Sequence, residues 1–332
     1  MRCAIIIGRF QPFHLGHKKL IDFALKDYDK VIVVIGSHKK ARNIKNPWTA
    51  EERQDMISNT MNSDRIQFVL MRDYLYNDDL WIVDLQTKIS QITDKDDQIT
   101  IVGHYHDNSS YYLKLFPNFD CKLVENFDEV QQATYLRNSY FTHDNEWEKH
   151  VSDYVKNNLK LFKSTPLFTS LKGEFDYIKS YQEQWSGAPF PVTFVTVDNV
   201  VVKSGHVLVV KRKCNPGKGL LALPGGFLNS DEKILTSALR ELKEETKISL
   251  SKEELIKHLV ESKVFDHPAR SLRGRTITHA FLFNLKYGDL PKVKAADDAE
   301  EAFWMPIADV FSNEEKFMED HWSIIFNFIN KL

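Results

Sequence analysis

Short β-branched runs separated by amphipathic stretches organise the first half of the chain. Residues 3–7 and Lys30–Ile35 are apolar runs that each end at a glycine, Gly8 and Gly36. Between them Leu20, Ile21, Ala24 and Leu25 recur at helical spacing within 18–28, which predicts a helix with one buried face. Thr49-Ala50-Glu51-Glu52 has the form of a capping box and predicts a helix from there to about Asn62. Residues 66–71 are a third strand, a helix follows over about 80–92, and Gln98–Gly103 is a fourth strand that again ends at glycine. Strands alternating with helices predict an α/β domain, an open parallel sheet with helices on both faces. Ligands of such sheets lie beyond the C-terminal strand ends, which Gly8, Gly36 and Gly103 mark.

The texture then changes. Residues 146–185 are helical in pattern and strongly charged, without a strand signal, and Gly187-Ala188-Pro189-Phe190-Pro191 punctuates the boundary after them. Residues 192–202 and 206–211 pattern as a hairpin, 231–247 as one helix and 276–285 as another strand, an α+β domain of different design. The expected organisation is a first domain over 1–165, a helical connector over 166–187 and a second domain over 188–332. A chain of 332 residues agrees, because one core rarely serves so many.

Net charge is −2, which gives no support for nucleic-acid or membrane-surface partners. The longest apolar runs are about five residues, too short for a membrane span or a signal-peptide core. Cys3, Cys121 and Cys214 are scattered and in no metal spacing, as expected of reduced thiols in a cytoplasmic protein. Homo-oligomerisation stays open on these grounds.

Chemistry enters at Gly8-Arg9-Phe10-Gln11-Pro12-Phe13-His14-Leu15-Gly16-His17. A strand ending in glycine lets backbone approach a ligand, a helix N-terminus attracts phosphate, and two histidines beside it can donate to phosphate oxygens. A surface loop with incidental histidines competes with that reading. Zinc lacks further ligands at suitable spacing, and no G-x-G-x-x-G follows the strand. The longer string resembles the signature of nucleotidyltransferases with an (H/T)-x-G-H motif, specifically the archaeal-type nicotinamide mononucleotide (NMN) adenylyltransferases. Asn46-Pro47-Trp48-Thr49-Ala50-Glu51-Glu52-Arg53 resembles that family's N-P-[FW]-T-x-x-E-R segment, and Thr134-Tyr135-Leu136-Arg137 the end of its I-S-x-T-x-x-R motif, with Gln132 where serine is usual.

The resemblance implies that ATP and NMN react to give NAD and pyrophosphate. The NMN phosphate is a nucleophile already ionised at pH 7, so the protein's task is to position the reactants and neutralise charge. His14 and His17 are the expected catalytic donors. Arg9 and Arg137 would hold the leaving phosphates, with Mg²⁺ sharing the charge. Gly8, Phe10, Arg53, Gly103 and Thr134 complete the expected ATP/NMN contacts. Trp48 or Trp81 would stack on the nicotinamide ring, with ordinary core packing the competing role for each, and Asn77 and Asp78 would make polar contacts to NMN.

In the second half, Asn229 with Glu232 three residues on has the form of a helix start. On a helix, Leu235, Ala238, Leu239 and Leu242 make one stripe, and Glu241, Glu244 and Glu245 share an arc beside it. Such like-charged neighbours repel, and a hard divalent cation, Mg²⁺ or Mn²⁺, would offset the cost. A solvated acidic face paired with Arg240, Lys243 and Lys247 is the competing reading of those glutamates alone. The full spacing from Gly226 through Glu232, Arg240 and Glu241 to Glu245 resembles the Nudix box at every position but one, Lys247 standing where the family has glycine. Pro216-Gly217-Lys218-Gly219, Leu223-Pro224-Gly225-Gly226 and Asp297-Asp298-Ala299-Glu300-Glu301-Ala302-Phe303-Trp304 resemble the ADP-ribose pyrophosphatase branch.

That resemblance implies metal-assisted attack of water on ADP-ribose, giving AMP and ribose 5-phosphate. Glu241, Glu244 and Glu245 would hold the metal, Glu301 would act as an additional base, and Arg270, Arg273 and Arg275 would form a basic loop gripping phosphate, a solvated loop being the alternative. Together the halves resemble the bacterial bifunctional family joining an NMN adenylyltransferase to a Nudix hydrolase. The expected fold is then a Rossmann-like nucleotidyltransferase sheet followed by an α+β Nudix fold, and the expected partners are ATP, NMN, NAD and ADP-ribose. Two alternatives stand beside this: a Nudix domain that only senses ADP-ribose, and a first domain that serves another acceptor.

Overall fold

A computed structural model describes residues 1–103, 115–124, 132–142 and 144–329. The chain divides into two compact units, Met1–Lys172 and Gly173–Leu332.

In the first unit β1 (Arg2–Gly8), β2 (Lys30–Ile35), β3 (Ile66–Leu70), β4 (Gln98–Gly103) and β5 (Asp120–Leu123) form a parallel sheet in the order β3-β2-β1-β4-β5. Helices cover both faces, so the central strands are continuous apolar runs: Cys3, Ala4 and Ile5 in β1 and all of Val31 to Ile35 in β2 are sealed from solvent. Helix α1 (Leu15–Asp27) links β1 to β2, α2 (Ala50–Met61) links β2 to β3, and α3 (Asp78–Ser90) precedes β4. The capping box opening α2 forms as expected: Thr49 Oγ1 accepts from Glu52 N at 3.3 Å, and Thr49 N donates to Glu52 Oε2 at 2.8 Å. Strand β5 has no counterpart in the sequence pattern, being four residues long and mostly exposed. Helices α4 (Ala133–Phe141), α5 (Asp153–Lys163) and α6 (Pro166–Gln184) follow. The strand order reverses at β1, which has β2 on one side and β4 on the other, and sheets of this kind bind ligands at such a reversal, beyond the C-terminal strand ends.

The second unit is a mixed sheet. Strands β6 (Thr193–Lys203) and β7 (His206–Arg212) pair only at their turn, Val202 with Val207 and Lys203 with His206. They then part, and β8 (Leu221–Ala222) pairs with β7 while β9 (Gly225–Phe227) pairs with β6. Helix α7 (Ile234–Thr246) lies against this split, burying Ala238, Leu239 and Leu242 on Val197, Val201 and Phe281. The expected start of α7 at Asn229 and Glu232 is corrected. Lys233 is the N-cap, with no side-chain capping bond, because Glu232 is engaged by Arg240 instead. After α8 (Lys252–Lys257), strands β10 (Leu259–Phe265), β11 (Arg275–Asn284) and β12 (Ala299–Pro306) complete the order β10-β11-β6-β7-β12, and α9 (Ile307–Ser312) and α10 (His321–Ile329) close the unit. The second half of α6 packs here: buried Glu174 accepts from Gly217 N at 3.0 Å.

Cys3 is buried, Cys121 and Cys214 are exposed, and all three are free thiols. Among the described residues no helix is long and apolar enough to cross a membrane.

Candidate active sites

At the end of β1 the chain passes Gly8 and turns into α1, whose N-cap is His14. His14 Nδ1 accepts from Gly16 N at 3.2 Å and His17 N at 3.4 Å, and His14 N donates to His17 Nδ1 at 3.3 Å. The two imidazoles thus form a reciprocal capping box, with ring centroids 3.6 Å apart. Both Nδ1 atoms are acceptors, so the proton of each neutral ring sits on Nε2. That tautomer supplies two Nε2–H donors beside a helix N-terminus, a combination suited to a phosphate. Phe10 and Phe13 pack on His17 with centroids at 4.8 and 5.8 Å.

Arg137, on α4, is buried and donates to Gln11 O at 2.7 Å and Thr134 Oγ1 at 3.0 Å. Burial, with Arg9 beside it, pushes its pKa down to about 9. Lys45 is pushed down to about 8 by burial and by Arg9, while Asp73 pulls it the other way. Arg9 is exposed as a residue, yet desolvation of its guanidinium lowers its pKa as well, with Asp73 pulling the other way. Cations crowded in this way favour a polyanion between them. Lys45 is a member of this cluster that the sequence does not single out; it lies just upstream of Asn46-Pro47-Trp48, where one lysine in a lysine-rich segment carries no signal of its own.

Two expected contacts are corrected. Arg53 is fully buried and its guanidinium is committed to the carbonyls of Arg9, Gly36, Ser37 and Thr49, so it presents no donor face to a nucleotide. Trp48 is 2% exposed and packs edge-on to Tyr140 at 5.4 Å, beside Phe162. Its ring is core, and its backbone holds both ends of the Gln11 amide, at 2.7 and 3.2 Å. Trp81 is half-buried against Phe116. Asn77 caps α3 by accepting from Leu80 N at 3.0 Å, and Asp78 opens that helix; both are at least partly exposed, as is Thr134. The tryptophans should therefore separate on mutation. Trp81→Ala raises the KM for NMN by about tenfold, the scale of one ring contact, with a small change in Tm. Trp48→Ala costs roughly 3–5 kcal/mol of stability. Substrate kinetics beside thermal melts decide this, and equal KM shifts in the two variants would refute it.

In the second unit the split between β6 and β7 opens a cavity of about 260 Å³, with Gly225, Gly226, Glu241, Glu244 and Glu245 on its wall. A Cβ at Gly226 would lie 2.6 Å from the Glu241 carboxylate carbon, and one at Gly225 would lie 2.1 Å from Val197 O. Only glycines let this backbone lie so close to β6, at Gly225, and to α7, at Gly226. Arg240 ties the box together: Nη1 donates to Glu241 at 2.8 Å and Glu244 at 2.9 Å, and Nε to Glu232 at 2.8 Å. Glu245 is buried and accepts from Gly225 N at 3.0 Å. Burial raises its pKa to about 8, against the pull of that bond, and burial raises Glu241 too. Among the described residues no three side chains already form a metal cage. The donor set nevertheless suits a hard divalent cation, because carboxylates on successive turns, one held near neutral by burial, gain from an added positive charge.

The basic loop resolves into three separate arginines. Arg270 is buried in a bidentate pair with Asp320 at 2.9 and 3.0 Å, 3.5 Å from Asp198, so it braces the cavity floor. Arg273 lies over the Phe227 ring at 5.1 Å, and both line the cavity. Arg275 is turned to the Asp266 carbonyl and does not line it. Glu301 is corrected as well: on β12 it faces Lys211 at 2.9 Å, more than half exposed and outside the cavity. Asp297 and Asp298, from the same quoted stretch as Glu301, take that wall, together with two residues that the sequence does not single out, His321 and Glu319, whose Oε1 is buried without a hydrogen-bond partner. His321 Nδ1 accepts from Leu223 N at 2.9 Å. Glu319 and His321 come from the loop before α10 and its first residue, where no local pattern announces them.

Comparison with known proteins agrees with these geometries. Residues 5–158 match the cytidylyltransferase-like family model, and residues 192–328 match the NUDIX domain model. The crystal structure of a bifunctional NMN adenylyltransferase/ADP-ribose pyrophosphatase from Francisella tularensis, complexed with AMP and a manganese ion, is 37% identical; the match covers 99% of each chain with a TM-score of 0.93. The nicotinamide/nicotinic acid mononucleotide adenylyltransferase of Acinetobacter baylyi is 41% identical over 140 residues, 41% of this chain and 74% of that protein. The ADP-ribose pyrophosphatase of Methanocaldococcus jannaschii is 37% identical over 131 residues, 40% of this chain and 70% of that protein. Fold and site thus define a nucleotidyltransferase unit followed by a Nudix unit on one chain. The chain belongs to the family of bifunctional NMN adenylyltransferase/ADP-ribose pyrophosphatases.

Proposed function

We infer that this chain carries both activities of its family. In the first, an oxygen of the NMN phosphate bonds to the α-phosphorus of ATP, the bond to the β-phosphate bridging oxygen breaks, and NAD and pyrophosphate result. His14 and His17 donate from Nε2 to the α-phosphate, where charge develops. Arg9, Lys45 and Arg137 hold the departing phosphates, and their lowered pKa values mark cations waiting for an anion. In the second, water adds to the diphosphate of ADP-ribose and yields AMP and ribose 5-phosphate. Glu241, Glu244 and Glu245 would hold Mg²⁺ or Mn²⁺, which when bound supplies a Lewis acid and an activated water. Arg273 with Phe227 offers a cation and a ring face to the substrate, and Glu319 lines the same space.

The reciprocal His14–His17 capping box carries the transferase reading, because it fixes both tautomers as phosphate donors. For the hydrolase the intact Arg240-tethered glutamates count against a sensor that only binds ADP-ribose. One experiment tests both. The purified chain is given ATP with NMN, and separately ADP-ribose with and without Mg²⁺, and nucleotides are resolved by chromatography. NAD in the first mixture and metal-dependent AMP in the second are expected. ADP-ribose bound but unhydrolysed would establish the sensor.

A further inference from the structure

We infer that Arg53 is a positioning residue for adenylyl transfer, holding the two left-handed turns, at Phe10 and Ser37, by which the chain leaves β1 and β2 for the phosphate site. The inference rests on the adenylyltransferase reading above.

Phe10 and Ser37 have φ of 52° and 53°, a region that favours glycine, and neither is glycine. In each case the carbonyl just before the strained residue is taken by the same atom. Arg53 Nη1 donates to Arg9 O at 2.5 Å and to Gly36 O at 2.7 Å. Nη2 donates to Ser37 O at 3.3 Å, and Nε anchors the fork to Thr49 O at the start of α2, at 3.0 Å. Asp73 holds the Ser37 turn from its other side, accepting from Ser37 N at 3.1 Å and Oγ at 2.8 Å. Lysine cannot reproduce this span, because a planar fork reaches several carbonyls at fixed angles and an ammonium is a single point.

The turn at Phe10 has a direct effect on the site. It folds the Phe10 ring over Gly8, where a Cβ would lie 3.0 Å from Phe10 Cζ, and sets that ring edge-on to His17 at 4.8 Å. Arg53 therefore acts on His17 through the Arg9 carbonyl and the Phe10 ring, and on Arg9 through its own backbone. A displacement of about 1 Å in such a constellation is enough to cost catalysis about 10²-fold.

The test uses the full chain carrying Arg53→Lys, with NAD synthesis, ADP-ribose hydrolysis and Tm measured on one preparation. The kcat for NAD synthesis is expected to fall by about tenfold or more while the KM for NMN stays within about threefold. Hydrolysis is expected to hold. Adding Ser37→Gly to Arg53→Lys should return part of the lost kcat, since glycine takes a left-handed turn without a clamp. A merely structural arginine would lower Tm and leave kcat per folded molecule unchanged, with no rescue by glycine. If Arg53→Lys does not fold, Ser37→Val replaces it: Arg53 is intact, and a β-branched side chain opposes the same turn, so a fall in kcat supports the inference. An unchanged kcat in the folded variant, or a loss that Ser37→Gly does not relieve, overturns it. A wild-type chain that makes no NAD overturns the transferase reading instead.

Discussion

His17→Ala lowers the rate of NAD synthesis by about 10²–10³, the usual cost of one preorganised donor at a site of developing charge, while ATP still binds. The substitution acts twice. It removes an Nε2–H donor, and it takes away the Nδ1 that accepts from His14 N, so the second imidazole loses its stacked neighbour as well. His17→Asn separates the two effects, because a short amide can accept from His14 N but does not reach where the imidazole Nε2 reaches. Steady-state rates for both variants, with ADP-ribose hydrolysis as the control for folding, make the check. A His17→Ala rate within about threefold of wild type would remove this residue from the mechanism.

Glu245→Gln abolishes ADP-ribose hydrolysis and leaves NAD synthesis nearly intact. The amide keeps volume and helix propensity but cannot supply an anionic oxygen. A pH signature accompanies it. Burial raises Glu245 from 4.5 to about 8, so between those values the folded chain binds a proton that the unfolded chain does not. Metal-free stability therefore falls as pH rises through that window, by an amount of the order of a few kcal/mol. Glutamine resembles the neutral acid. In chelator, wild type and variant should melt alike near pH 5, and the variant should melt higher at pH 9. Added Mg²⁺ needs the ionised carboxylate, so its stabilisation of wild type should grow with pH and be absent in the variant. Parallel loss of both activities in a folded Glu245→Gln protein would rule out independent sites.

Much of the fold is legible in the sequence because the first sheet is buried on both faces, which turns its strands into plain apolar runs closed by Gly8, Gly36 and Gly103. The Thr49 capping box is legible because it is local. What fails is whatever depends on which way a side chain turns. Arg53 belongs to a nucleotide-binding signature, yet backbone carbonyls claim its guanidinium. Glu301 belongs to a second signature, yet its position on β12, opposite Lys211, points it away from the cavity. Arg270, Arg273 and Arg275 are close in sequence and diverge in role because Asp320, some fifty residues on, claims the first. Lys45, Glu319 and His321 reach their sites from segments whose placement only the assembled sheets determine.

Lys247 follows the last turn of α7 with φ 44° and ψ 32°, and its N–H bonds to Lys243 O at 3.0 Å. The helix exit is thus the one a glycine would make, although the residue is lysine. The requirement at this step is a dihedral angle rather than a letter. A pattern that insists on glycine there would pass over this chain, and one written in backbone conformation would not.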